Sequence, residues 1–153
     1  MSRKKTRRKH YPLVNTIELA TKGVQPINGQ DLANLRTVNK DAVDAFFAGR
    51  ATPNDWRTVA DMHNIAKTMA EGGVGPEVLL ACALVDAALC DSFERHRRTG
   101  RLGMTGPQLV ALRELYEYYD LQTQSIDRSV LERWIKKTAD RIRSAHPDVK
   151  VFI

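Results

Sequence analysis

Residues 78–90 read VLLACALVDAALC and form the longest apolar stretch of the chain, with Asp86 as its only charged residue. It is 13 residues long, short of the roughly 20 that span a bilayer, so it does not predict a membrane helix. Pro76 and Glu77 stand before it and favour a helix start, and the helix is expected to continue to about Arg98. Because its first half is apolar nearly all round, we expect this helix to be the centre of the domain.

Helical patterns also flank this stretch on both sides. Apolar residues recur at spacings of three and four, and capping residues, glycines and prolines mark the ends of the segments. The chain is therefore predicted to be all-α, a compact bundle of about five helices around a central apolar helix at about 76–98, with residues 11–153 as a single domain. Residues 149–153 form a short apolar tail that either docks on the core or adds one strand. The other predicted helices lie at residues 16–22, 30–48, 53–71, 107–124 and 129–146.

The charge of the chain is concentrated near its first residues. There are 24 Lys and Arg against 18 Asp and Glu, a formal net charge of +6. Six of the basic residues fall within residues 3–9 and leave 18 against 18 elsewhere: Arg3, Lys4, Lys5, Arg7, Arg8 and Lys9. Such a segment cannot pack into a core, so we expect residues 1–10 to be a mobile, disordered arm that is drawn to phosphates by counterion release. A merely solubilising terminus is the alternative.

A second basic group lies in the last predicted helix. Arg133, Lys137 and Arg141 recur every four residues and so share one face. This face either extends a phosphate-contacting surface begun by the arm or is an ordinary solvated face.

A third group is a candidate surface for a protein partner, and the glycine-rich loop beside it either cradles an anion with its backbone N–H groups or only connects two helices. Several arginines flank the glycine-rich loop at residues 100–106, which matches neither a P-loop nor a dinucleotide fingerprint. Tyr118 falls off the apolar stripe of its helix and is expected to be exposed, whereas Tyr116 and Tyr119 are expected in the core. The candidate partner surface comprises Arg95, Arg97, Arg98, Arg101 and Tyr118.

No complete catalytic, metal or nucleotide motif is present in the sequence. His63 and Asp86 would form a buried pair if their helices packed in register, but a relay also needs a nucleophile. Cys82 and Cys90 lie eight residues apart in one predicted helix, about 12 Å along its axis, so they cannot pair with each other and are expected to be buried thiols. The sequence therefore predicts no enzyme, no cofactor and no metal.

Three segments resemble a known group of proteins. These are VNTIELATKG at 14–23, ATPNDWRTVADMHNIAKTMAE at 51–71 and RTGRLGMTGPQLVALRELYEYYDLQ at 98–122. Together with the basic start, they are similar to a family of small hypothetical proteins of phages and prophages of Gram-negative bacteria. That family has no established activity and supplies no site residue. The resemblance implies a small helical accessory protein that acts in the cytoplasm of a bacterial host and binds host or phage macromolecules.

The predicted function is therefore that of a non-enzymatic phage-type accessory protein. It is expected to bind nucleic acid or a nucleoprotein complex through its basic arm. The alternative is a phage-encoded, protein-binding effector that inhibits a host defence or regulatory complex. No membrane partner is expected, and a homodimer stays open because apolar helix faces close a dimer as readily as a monomer core.

Overall fold

The computed structural model describes residues 29–145, with side chains over residues 36–144. These residues form five packed helices and no strand, which confirms the all-α fold class. The predicted arm, the helix at 16–22 and the tail at 149–153 lie outside the described residues. A 3₁₀ turn, Pro76–Val78, precedes the third helix. The helices are α1 (Gly29–Phe47), α2 (Pro53–Glu71), α3 (Leu79–Thr99), α4 (Gly106–Gln124) and α5 (Arg128–Ala145).

Short-range capping interactions start α2 and α4. The Asp55 carboxylate accepts a 2.7 Å hydrogen bond from the Thr52 N–H, while the Asp55 N–H donates to the Thr52 hydroxyl. Thr105 and Gln108 form the same reciprocal pair at α4, a capping box that sequence analysis missed. Each pair satisfies backbone donors that a helix start leaves open.

The start of α5 differs from its prediction. The helix was predicted to begin at Ser129, which has capping-box spacing to Glu132, but Ser129 lies inside the first turn. The N–H groups of Val130 and Leu131 donate to the Asp127 carbonyl at 3.0 Å, which places the helix start one residue earlier. The Glu132 carboxylate instead accepts a 3.1 Å hydrogen bond from the Arg128 guanidinium.

The centre of the bundle is α2, which corrects the prediction that the apolar segment at 76–98 is central. Helix α2 packs against all four other helices and buries ten of its residues. On α3, by contrast, Leu79, Leu80 and Leu84 are exposed to solvent. The periodic apolar stripe of α2 is broad enough to contact every neighbour, whereas α3 packs with one side only.

Polar side chains fix the order of the helices around α2. The Trp56 indole N–H donates to the Leu89 carbonyl of α3 at 3.0 Å. The Gln122 amide of α4 donates to the carbonyls of Ala66 and Val74, at 3.1 and 2.8 Å. These bonds satisfy buried polar groups and hold α3 and α4 on adjacent sides of α2.

Candidate binding surfaces

An exposed apolar surface runs along α3 and α4. Its most exposed members are Leu80 at 72%, Leu121 at 61% and Val110 at 55% of their full accessible area. Leu84 is exposed at 49% and Tyr118 at 38%, which confirms the prediction for that tyrosine. We define the α3–α4 face by these five residues.

The register of the two helices places the five residues on facing edges. Helices α3 and α4 are antiparallel, since the Gln108 amide donates to Asp91 at one end and the Gln122 amide to the Val74 carbonyl at the other. On each helix the exposed residues are spaced by four, three and four, which is one helical stripe. The stripe of α3 is Leu80, Leu84, Ala87 and Asp91, and that of α4 is Val110, Glu114, Glu117 and Leu121. Tyr118 lies beside the α4 stripe, about one turn from both Glu114 and Leu121.

The charges around the α3–α4 face are almost all negative. Residues 76–94 and 106–124 contain seven acidic residues and one basic residue, Arg113. The Arg113 guanidinium lies 4.6 Å from the ring centroid of Phe47 on α1, away from α3. Asp120 and Glu94 already have arginine partners, Arg36 and Arg97. The other exposed acidic residues of these two ranges are Glu77 in the 3₁₀ turn, Asp91 on α3, and Glu114 and Glu117 on α4.

Sequence analysis missed this surface apart from Tyr118. Residues 78–89 are apolar on nearly every side, a pattern that predicts burial and gives no signal for an exposed face. Which side of α3 stays exposed depends on how it packs against α2 and α4, and the sequence pattern of one helix does not contain that information.

The four arginines at residues 95–101 have different environments in the fold. The Arg95 guanidinium is half-buried and donates to the Gly103 carbonyl, so it holds the glycine-rich loop against the end of α3. Arg97 forms a 3.3 Å ion pair with Glu94 on the same helix. Arg98 and Arg101 are exposed. Arg97 is exposed as well, at 66%, so three of the four arginines of the predicted partner surface face solvent and Arg95 does not.

The basic residues of α5 also differ in their environments. Arg133 and Lys137 are exposed, and the Lys137 ammonium lies 5.0 Å from the ring centroid of Trp134. Arg141 instead pairs with Glu71 of α2 at 2.7 Å and donates to the Thr68 hydroxyl at 3.1 Å. Its guanidinium joins α5 to α2, so Arg141 is not equivalent to the other two. The arm residues Arg3 to Lys9 lie outside the described residues.

His63 lies in the core between α2 and α3. It is buried, and its Nε2–H donates to the Cys82 carbonyl of α3 at 2.9 Å. His63 and Asp86 line the same depression beside α3. Burial raises the pKa of the Cys82 thiol to about 12 and also raises that of Cys90. Thiolates are therefore disfavoured here at neutral pH, and both cysteines are unpaired.

A second concave region lies between α1, α4 and the start of α5. This cavity of about 320 Å³ is lined by Arg36, Asn39 and Tyr119, among others. Asn39 hydrogen-bonds the buried Tyr119, and burial is the main reason that the pKa of this phenol is raised. Nearby, burial raises the pKa of Asp61 on α2 to about 7. Sequence analysis did not single out Asp61, because its neighbours in the fold come from other helices.

No group of three or more His, Cys, Asp or Glu side chains among the described residues is arranged to hold a metal ion. None of the helices in this part of the chain combines the length and the apolarity needed to cross a membrane.

Comparison with known proteins found no match: neither a family model, nor a curated protein, nor a solved structure is significantly similar to the chain. The resemblance to phage proteins stays a prediction.

Proposed function

We propose that this chain is a non-enzymatic phage-type accessory protein that binds nucleic acid or a nucleoprotein complex through the arm, Arg3 to Lys9, and through α5. The observation that carries the proposal is the separation of charge. Helix α5 has six basic and two acidic residues, a net charge of 6 − 2 = +4, whereas the acidic residues dominate α4 and the first part of α3. A cationic arm and a cationic helix face attract the same phosphate backbone.

The number of basic residues sets the expected salt dependence of nucleic-acid binding. If all six arm cations contact duplex phosphates, the slope of log K against log salt is about −5, at about 0.9 per contact. Arg133 and Lys137 would add two contacts and make the slope about −7. Arg141 adds none while it remains paired with Glu71.

The test is fluorescence anisotropy of a labelled duplex of about 20 base pairs, titrated with the protein at several salt concentrations. Deletion of residues 2–9 should remove most of the affinity, and the double variant Arg133→Glu, Lys137→Glu should lower it further. Arg98→Glu is the matched control, because it reverses an exposed cation outside α5. Binding that survives the deletion with an unchanged salt slope would contradict the proposal.

A second candidate is a protein-binding effector that inhibits a host defence or regulatory complex. The observation that favours it is the position of Tyr118, which lies with four exposed aliphatic side chains on the α3–α4 face. Exposed apolar patches on small soluble domains commonly mark protein interfaces. Arg97, Arg98 and Arg101 are the exposed cations of the predicted partner surface, and Arg97 pairs with Glu94.

The two candidates are distinguished by a pull-down from bacterial lysate with and without nuclease. Partners that are lost on nuclease treatment and at high salt support nucleic-acid binding. A discrete complex that survives nuclease, and is lost with the variant Tyr118→Asp, supports the effector. Wild-type protein that retains no partner under either condition would contradict both.

A further inference from the structure

We propose that the α3–α4 face docks a cationic amphipathic helix of a partner protein. This inference deepens the protein-binding candidate above and rests on it. It concerns the chemistry of the partner, which must supply apolar side chains on one helical face and lysines or arginines beside them.

The shape and length of the α3–α4 face match those of a docked helix. Its stripes on α3 and α4 each extend over 11 residue steps, from Leu80 to Asp91 and from Val110 to Leu121, or about 16 Å at 1.5 Å per residue. Two antiparallel helices with exposed leucines along both edges form a groove that accepts a third helix. A docked helix uses anchors at spacings of three, four and seven residues, and three turns of it match the length of this face.

The charge beside the groove favours a basic partner. Glu114 and Glu117 lie within the α4 stripe, and Asp91 ends the α3 stripe. Between residues 76 and 94 there is no basic residue at all. An acidic partner would meet like charges along both edges, whereas a basic partner finds complementary ones, which raises the association rate and fixes orientation.

The described part of this chain does not itself offer such an occupant. Helix α5 is its basic helix, but the apolar side of α5 is already packed on the bundle, with Leu131 at 5% and Ile142 at 7% exposure. The arm segment 3–9 has six cations and one threonine, so it lacks apolar anchors. A second copy could meet the face with its own exposed leucines, but that contact would set its Asp91, Glu114 and Glu117 against the same acidic residues, so a basic partner fits the face better.

The experiment uses the full chain and a synthetic probe. The probe is a fluorescent 18-residue peptide with leucines on one helical face and lysines on the other. Two control peptides carry glutamate in place of lysine, or the same residues in scrambled order. Leu84→Lys is the test variant, and Val38→Lys on α1 is its matched control, because both side chains are exposed at 49%. Thermal unfolding of each variant verifies that it is folded.

The expected result is binding of the lysine peptide that weakens at least tenfold with Leu84→Lys and less than twofold with Val38→Lys. Glu114→Lys should weaken it about threefold, and neither control peptide should compete. Equal binding of the scrambled peptide, or equal effects of both lysine variants, would overturn the proposal.

Sedimentation of the wild-type chain and the Leu84→Lys variant tests whether a second copy of the chain occupies the face. A wild-type dimer that the variant converts to a monomer would show that a second copy occupies the face, and would also overturn the proposal. If the lysine peptide does not bind while a nuclease-resistant partner is still lost with Tyr118→Asp, the protein-binding function stands and only the proposed partner chemistry is wrong.

Discussion

Replacement of Asp61 by asparagine should make the protein more stable at pH 8 and leave it almost unchanged at pH 4. Burial raises the pKa of this carboxyl from 3.8 to about 7. Because the folded state binds the proton more tightly than the unfolded chain, it is penalised once the unfolded chain loses its proton. The penalty is absent well below pH 4, grows as the pH rises, and is complete above pH 7.

The magnitude follows from the two pKa values. A difference between 3.8 and about 7 corresponds to about 4 kcal/mol, at about 1.4 kcal/mol for each pH unit. Asparagine has nearly the same shape and carries no charge, so it removes this penalty without opening a cavity. We therefore expect Asp61→Asn to raise the free energy of unfolding by about 2 to 4 kcal/mol at pH 8, and by less than about 0.5 kcal/mol at pH 4.

The assay is urea unfolding followed by circular dichroism at several values between pH 4 and pH 8. Asp41→Asn is the matched control, because Asp41 is exposed on α1. The quantity to compare is the difference between variant and wild type at each pH, which cancels the titration of all other groups. A difference that stays constant from pH 4 to pH 8 would refute the reasoning.

Three further predictions concern packing, capping and thiol chemistry. Gly72→Ala should destabilise the protein by about 1 to 3 kcal/mol, since a Cβ at this position would overlap the Trp134 ring, whereas Gly106→Ala meets no atom within 4 Å and should be nearly neutral in the same thermal melts. Thr105→Ala removes the hydroxyl of the α4 capping box and should cost about 1 kcal/mol in urea unfolding, with Thr105→Ser retaining most of the stability. Because burial raises the pKa of Cys82 to about 12, iodoacetamide at pH 8 should label it only after denaturation, as read by mass spectrometry, and rapid labelling of the native protein would contradict this.

The candidate surfaces show where sequence reasoning was sufficient and where it was not. The exposure of Tyr118 could be predicted because it depends only on its angular position in a helix whose inner stripe is clear. The partners of Arg141 could not be predicted, because Glu71 is 70 residues away in the sequence and meets it only after α5 docks on α2. The raised pKa of Asp61 could likewise not be predicted from the sequence, since burial of a carboxyl depends on neighbouring helices.

The sequence alone determined the helices, their ends and the concentration of charge in the arm. These features are local: a threonine three residues before an acid, a proline at the first turn, or an apolar stripe with helical spacing is encoded within a few residues. The tertiary structure decided that α2 rather than α3 is the centre, and that the outer side of α3 joins α4 in an exposed apolar face. A strongly apolar helix is compatible with burial on any side, and only its packing against particular neighbours selects the side that stays in water.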